Sequence, residues 1–312
     1  MKVCLAGEGA QGMTYMQALQ AVDGVEVAAL AGGLEADTAA FAEQWNIPFW
    51  SLDLEACLSC ENIEAVILAT PSQIHAAQCE LALNMGKHVQ VEIPYALNLA
   101  DAERLVGLVE GAGRVGMVAH TRRYSRAPRE ILRRLRAGEL HLHHIVSETY
   151  FFRRTNENRF GKERTWVDDL LWHHGCHVVD MIYWLFDDPN MEVWGQVGPN
   201  HADLDIPTDL TIGMRDRAGR LATAALSFNN HGQIEVSSRF IGEEMTLHLR
   251  GSRLSDHEDN EVVVNDDVDA FVQQNREFFT AIREGRNPLT SFEVCLPTMV
   301  LLDKIQRSID SA

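Results

Sequence analysis

The 312-residue chain is 46% hydrophobic and 23% charged; that is length for two domains and enough apolar side chains for a sizeable core. Its formal charge of −18 argues against nucleic acid or an anionic membrane as the main partner. No secretory leader and no membrane-spanning run is expected, and six scattered cysteines read as free thiols of a cytoplasmic protein.

The first part alternates short apolar runs with helical patterns. Strands are expected over 2–7, 25–31, 65–70, 88–92 and 116–120, with helices over 11–21, 38–45, 72–85 and 98–110 between them. Such alternation predicts a parallel sheet covered on both faces. Cys57 and Cys60 form a C-x-x-C late in a helix; it reads as a redox pair or, more ordinarily, as two half-buried thiols.

After residue 121 the pattern changes. A charged helix over 129–137, a strand over 144–152 and a long apolar helix over 166–186 come first. Strands over 192–197, 210–214, 221–228, 234–241, 245–249 and 261–264 then follow without helices between them, 215–220 being a hairpin loop with its turn glycine. Helices over 268–284 and 294–309 close the chain. The expectation is an α/β protein: a dinucleotide-binding domain over 1–121 and a substrate-binding domain with an antiparallel sheet over 122–312.

Gly7-Glu8-Gly9-Ala10-Gln11-Gly12 is a G-x-G-x-x-G that leaves the first strand and opens the first helix. In that context Gly7 permits the tight turn and Gly9 the approach of a pyrophosphate. Gly12 lets helix and strand pack closely, and the helix N-terminus faces the phosphate charge. Ala10 and Gln11 belong to the same cradle. At the end of the second strand stand Gly32 and Gly33. No acid there bars a 2′-phosphate and no arginine grips one, so NADP is expected, with NAD as the alternative.

Further segments carry a resemblance: Ala69-Thr70-Pro71-Ser72-Gln73-Ile74-His75, Gly86 to Pro94, and His173-His174-Gly175-Cys176-His177-Val178-Val179-Asp180. With the glycine turn they resemble the Gfo/Idh/MocA oxidoreductases over the whole chain. The resemblance implies an N-terminal Rossmann domain and a C-terminal α/β domain with an open, mainly antiparallel sheet. It implies that Thr70, Pro71, Gln73 and His75 lie along the cofactor, with Glu92, Ile93 and Pro94 beside it. It also implies oligomer contacts through the sheet face, hence a homodimer or homotetramer.

Two departures stand out. Ile93 replaces the family lysine of Glu-Lys-Pro, and His173 replaces an acid or amide four residues before the helix histidine, which counts against a polyol substrate. The strings His120-Thr121-Arg122-Arg123, Tyr150-Phe151-Phe152-Arg153-Arg154 and Leu170-Leu171-Trp172-His173-His174 are similar to a branch that works in aromatic-ring catabolism. That branch oxidises a carboxylated cyclic hemiacetal to a pyrone dicarboxylate, mainly with NADP.

The residues also speak for themselves. Between His120 and Arg164 stand twelve Arg or Lys against five Glu, a basic island that invites a small anionic substrate. Arg126, Arg129, Arg133, Arg134 and Arg136 read as a solvated helix face. Arg122, Arg123, Arg153 and Arg154 are expected at strand ends, where a guanidinium can grip a carboxylate. Trp166 or Trp172 is expected to wall the substrate ring, with His174 beside it.

His173 and His177 lie four apart, with Asp180 three further on. They read as a metal site, as core histidines or as acid–base groups; hydride transfer to nicotinamide needs no metal if a base is present, so none is expected. His177 is taken as the base, with His173 orienting or replacing it. Competing readings are a dehydrogenase of another carboxylated ring or sugar acid, and a nicotinamide-binding sensor without turnover.

Overall fold

The computed structural model describes residues 1–157, 161, 164, 169–264 and 268–311. β1 (Lys2–Ala6) has four fully buried residues and leads through the glycine turn into α1 (Ala10–Leu19). β2 (Glu26–Ala31), α2 (Glu35–Trp45), β3 (Phe49–Ser51) and α3 (Leu54–Leu58) follow. Next come β4 (Ile63–Leu68), α4 (His75–Asn84), β5 (His88–Val91), α5 (Leu99–Ala112) and β6 (Gly116–Val118). The strands pair in the order β3-β2-β1-β4-β5-β6, every pair parallel. The chain starts mid-sheet, winds outward and returns, which places the carboxyl ends of β1 and β4 side by side at the switch point where ligands bind in open α/β sheets.

Sequence patterning misses β3, whose apolar run is too short to show a period, while the helix expected to carry Cys57 forms as α3 and ends before Cys60. Cys57 on α3 is fully buried beside Cys4, its Sγ 3.2 Å from Leu30 O. Both are free thiols, as is Cys60. This is core packing rather than a redox pair.

The second sheet begins after α6 (Arg126–Arg136), whose arginines pair along their own face: Arg133 and Arg134 both meet Glu130. Its strands are β7 (Leu142–Tyr150), β8 (Glu192–Val197), β9 (Asp209–Arg215), β10 (Leu221–Ser227), β11 (Glu235–Gly242), β12 (Thr246–Arg250) and β13 (Arg253–Ser255). They lie in the order β13-β12-β11-β7-β10-β9-β8, antiparallel except for β7 with β10. α7 (Cys176–Phe186) precedes β8 and contributes Val178, Val179, Ile182 and Phe186 to the core.

The expected strand over 261–264 does not form. Glu261 makes an isolated bridge to Ser255, and Val263 is 78% exposed. Asp256 accepts from the N–H groups of Glu258 and Asn260, closing the turn that ends the sheet at β13.

α8 (Ala270–Glu284) and α9 (Phe292–Asp310) end the chain. The chain forms two compact units, 1–121 with 268–296 and 122–267 with 297–312. The sequence reading assigned all of 122–312 to one domain. Residues 268–296 join the first unit because their side chains bond there: Gln274 Nε2 donates to Tyr15 OH (3.3 Å) and Thr290 Oγ1 to Val118 O (2.7 Å), while Phe271 packs edge-on against Tyr15. Pro297 lies inside α9, at the change of unit. Among the described residues no helix is long and apolar enough to cross a membrane.

Candidate functional site

In the first unit the glycine turn has the geometry its spacing predicts. Gly7 has φ +109, and a Cβ there would lie 2.4 Å from Ala69 O. A Cβ on Gly12 would lie 1.9 Å from Gly7 O, so α1 can cross β1 only without one. Gly9 is the N-cap of α1 with no side-chain cap, and a Cβ there would meet nothing within 4 Å. No acid stands in the first turn of α1. Open space over an uncapped helix N-terminus suits a pyrophosphate, so the residues fit a dinucleotide.

Beside this cradle, Gln11 Nε2 and Tyr15 OH both donate to Glu92 Oε1 at 2.7 Å. Gln11 and Tyr15 are i, i+4 on α1 and share a face. Burial pushes the Glu92 carboxyl upward, and the bonds from Tyr15 and Gln11 oppose that. Thr121 Oγ1 donates to Gln274 Oε1 (2.7 Å), extending the network. Tyr15 and Gln274 were not singled out in the sequence; the i, i+4 spacing could have found Tyr15, but nothing local announces Gln274.

His75 is 1% exposed, with Nδ1 2.8 Å from Pro94 O and Nε2 2.8 Å from Thr70 O. It ties the turn after β4 to the 92–94 loop and is buried away from solvent, so it positions both loops rather than lining an open site. Desolvation lowers its pKa. Thr70 Oγ1 donates to Gln78 Oε1 (2.5 Å); Pro71 is half-buried and Gln73 exposed. Ile93 is 8% exposed, an apolar side chain where the family carries a cation.

Gly32 follows β2 and lies under Thr38: a Cβ on it would lie 1.9 Å from Thr38 Oγ1. The neighbouring Gly33 N–H donates to the Glu8 carboxylate.

In the second unit the four candidate arginines separate into different tasks. Arg123 is not a substrate group. It is buried and bidentate to Asp180, with Nε–Oδ2 2.9 Å and Nη2–Oδ1 2.6 Å. Thr298 Oγ1 also donates to Asp180 (2.9 Å), so this carboxylate accepts from both side chains.

Arg154 is structural too. Its donors reach Arg153 O, Phe228 O and Asn229 Oδ1, pinning the end of β7. Arg153 lies 5.6 and 5.1 Å from the ring centroids of Phe151 and Phe228. Burial, then repulsion from Arg164, lowers its pKa to about 10.

Arg122 differs from all three: among the described residues its guanidinium makes no hydrogen bond or ion pair, and only its carbonyl is bonded, accepting from Ser125 N (3.2 Å). Burial brings its pKa down to about 10, with Asp180 and Cys176 opposing, so it stays cationic at neutral pH. It lines a cleft of about 130 Å³ with Ser147, Ser238 and Ser252, walled by Val178, Met181 and Phe240. Ser147 and Ser238 share a hydrogen bond of 2.9 Å. Isolated serines on two strands and a turn carry no sequence signal, and this cleft was not foreseen.

The expected single helix over 166–186 is not uniform. A π-helical turn spans Leu170–Gly175, with Asp169 accepting from Trp172 N, and α7 starts only at Cys176. Such turns gather at functional sites. The α-helical spacing behind a shared His173–His177 face therefore does not apply across Gly175.

His174 packs against Phe151 and Phe228, with centroids 5.0 and 5.3 Å away. Burial first, then Arg153 and Arg164, drive its pKa to about 3, so it is a neutral group and a weak base. His173 and His177 are half-buried, and His177 directly precedes the cleft-lining Val178. Trp172 is core, its Nε1 donating to Gln306 (3.1 Å). Trp166 lies outside the described residues.

Comparison with known proteins matches residues 1–120 to the model of an oxidoreductase family with an NAD-binding Rossmann fold. Residues 128–269 match the C-terminal model of bacterial oxidoreductases. The chain is 36% identical to 4-carboxy-2-hydroxymuconate-6-semialdehyde dehydrogenase of Sphingobium sp. strain SYK-6, over 99% of both chains. It is 29% identical to D-apiose dehydrogenase of Paraburkholderia graminis, over 60% of this chain and 50% of that one. In fold it resembles Synechocystis biliverdin reductase in complex with biliverdin and NADP+ (TM-score 0.85, 20% identity, 99% of both chains). It also resembles levoglucosan dehydrogenase in complex with NADH and L-sorbose (TM-score 0.86, 16% identity, 100% and 97%).

Proposed function

The chain belongs to the Gfo/Idh/MocA oxidoreductases and is an NAD(P)-dependent dehydrogenase, and we propose that its substrate is the cyclic hemiacetal of 4-carboxy-2-hydroxymuconate 6-semialdehyde, oxidised to 2-pyrone-4,6-dicarboxylate. The Sphingobium relative, similar over its whole length, supports this choice. The observation that carries it is Arg122: a desolvated guanidinium without a protein partner among the described residues, in a serine-lined cleft, is suited to a carboxylate. Arg153, backed by two phenyl rings, serves the second carboxylate.

The bound dinucleotide supplies the hydride acceptor. His177 takes the hydroxyl proton of the hemiacetal, so the ring carbon becomes a lactone carbonyl. A hemiacetal hydroxyl is more acidic than that of an alcohol, which lets the site work with Ile93 in place of the lysine. Gly32 and Gly33 leave β2 without a bar to NADP, and the carboxylate of Glu8 acts against it from the glycine turn.

The enzyme works in the cytoplasm on a small anion in aromatic-ring catabolism such as lignin breakdown, and binds neither nucleic acid nor membrane. Trp194 and Leu221 leave 46% and 45% of their surface exposed on the outer sheet face, which supports a homodimer or homotetramer through that face.

Replacing Arg122 by alanine is expected to raise KM for the hemiacetal roughly 30- to 150-fold, the worth of about 2–3 kcal/mol of charge-assisted bonding. Dinucleotide affinity should stay unchanged. Steady-state kinetics checks this; an unaltered KM would remove Arg122 from the substrate site.

A further inference from the structure

Resting on the dinucleotide site of the first unit, we propose that Glu8 selects NAD over NADP, by holding a carboxylate at the end of β2 where an adenosine 2′-phosphate has to be received. The usual selector is an acid carried by β2 itself. That position is closed here, because a Cβ on Gly32 would lie 1.9 Å from Thr38 Oγ1 and 2.7 Å from Thr38 Cβ. Thr38 cannot give way easily: it is fully buried and its Oγ1 donates to Leu34 O (2.7 Å).

The acid comes instead from the glycine turn. Glu8 Oε1 accepts from Gly33 N (3.0 Å) and Leu34 N (3.1 Å), and Oε2 lies 3.1 Å from Gly33 N. Leu34 is the N-cap of α2 and provides no side-chain cap of its own. Glu8 therefore occupies the backbone donors that a phosphate would need at this helix N-terminus.

The surroundings add to the effect. Glu35 and Asp37 stand in the first turn of α2. From Val3 to Gly86 the chain contains no lysine or arginine. A 2′-phosphate would thus displace a carboxylate, meet two more and gain no cation from this stretch. A ribose 2′-hydroxyl, in contrast, can donate to Glu8 without displacing it.

The test is calorimetric binding of ADP-ribose and of 2′-phospho-ADP-ribose, fragments that lack nicotinamide and need no turnover. Wild type should favour the unphosphorylated fragment by about tenfold or more, as expected when like charges are brought together. Glu8→Gln keeps the shape and removes the charge; it should narrow that ratio about tenfold, chiefly by tightening the 2′-phosphate form. Glu8→Ala should also weaken ADP-ribose, since the hydroxyl loses its acceptor. Glu8→Gln can still accept from the Gly33 and Leu34 N–H groups, so its melting temperature should match wild type, whereas Glu8→Ala gives up that cap and should melt slightly lower; raised salt should narrow the wild-type ratio alone.

Preference of wild type for the phosphorylated fragment, or a ratio unmoved by Glu8→Gln, overturns the proposal while leaving the dinucleotide site standing. Failure of either fragment to bind any of the three proteins overturns the site and the proposal together.

Discussion

His177→Ala is expected to lower hemiacetal turnover by about 10²- to 10⁴-fold, the range for loss of a general base, with dinucleotide affinity kept. Asp180 is committed to Arg123 and Thr298. His174 is held neutral by burial, with a pKa near 3. His177 is half-buried and lies in the first turn of α7, just past the π-helical turn. His173→Ala is the control and should cost much less. If His177→Ala kept near-normal turnover at every pH, while His173→Ala lost it, the base would be His173.

Asp180→Ala should destabilise the protein by about 3–5 kcal/mol, because the buried Arg123 guanidinium loses its bidentate carboxylate partner. The side chains of Arg123 and Asp180 are only 4% and 2% exposed. The rings of Tyr183 and Trp184, each 5.9 Å from the guanidinium, give weaker support than the carboxylate. The melting temperature should fall by roughly 10 °C for a unit of this size. The double substitution Arg123→Met with Asp180→Leu should recover most of that loss, since removing both charges removes the desolvation cost as well. A melting temperature within 2 °C of wild type for Asp180→Ala (roughly 1 kcal/mol or less) would show that the pair carries little stability.

What the sequence made legible was local. β1, the glycine turn and α1 are contiguous, so spacing alone yields their geometry. The hairpin loop after β9 was equally readable, with Gly219 at φ +87 and Asp216 accepting from Arg220 N. What it hid depends on distant partners. Arg123 looked like a substrate group because nothing near it in the chain reveals Asp180, 57 residues on. Residues 268–296 return to the first unit through Gln274, Phe271 and Thr290, none part of a local motif. Glu8 sat inside the recognised hexamer, yet its role needs α2 folded back against it. The π-helical turn escaped because apolar periodicity over 166–186 is satisfied by an ordinary helix.

The most direct measurement gives the wild-type enzyme the ring-cleavage product of protocatechuate together with NAD+ or NADP+, and follows both nicotinamide absorbance and product mass. The account predicts 2-pyrone-4,6-dicarboxylate formed one-for-one with reduced dinucleotide. Binding of the dinucleotide with no reduction of either form, or faster oxidation of an uncharged sugar such as D-apiose, would contradict it.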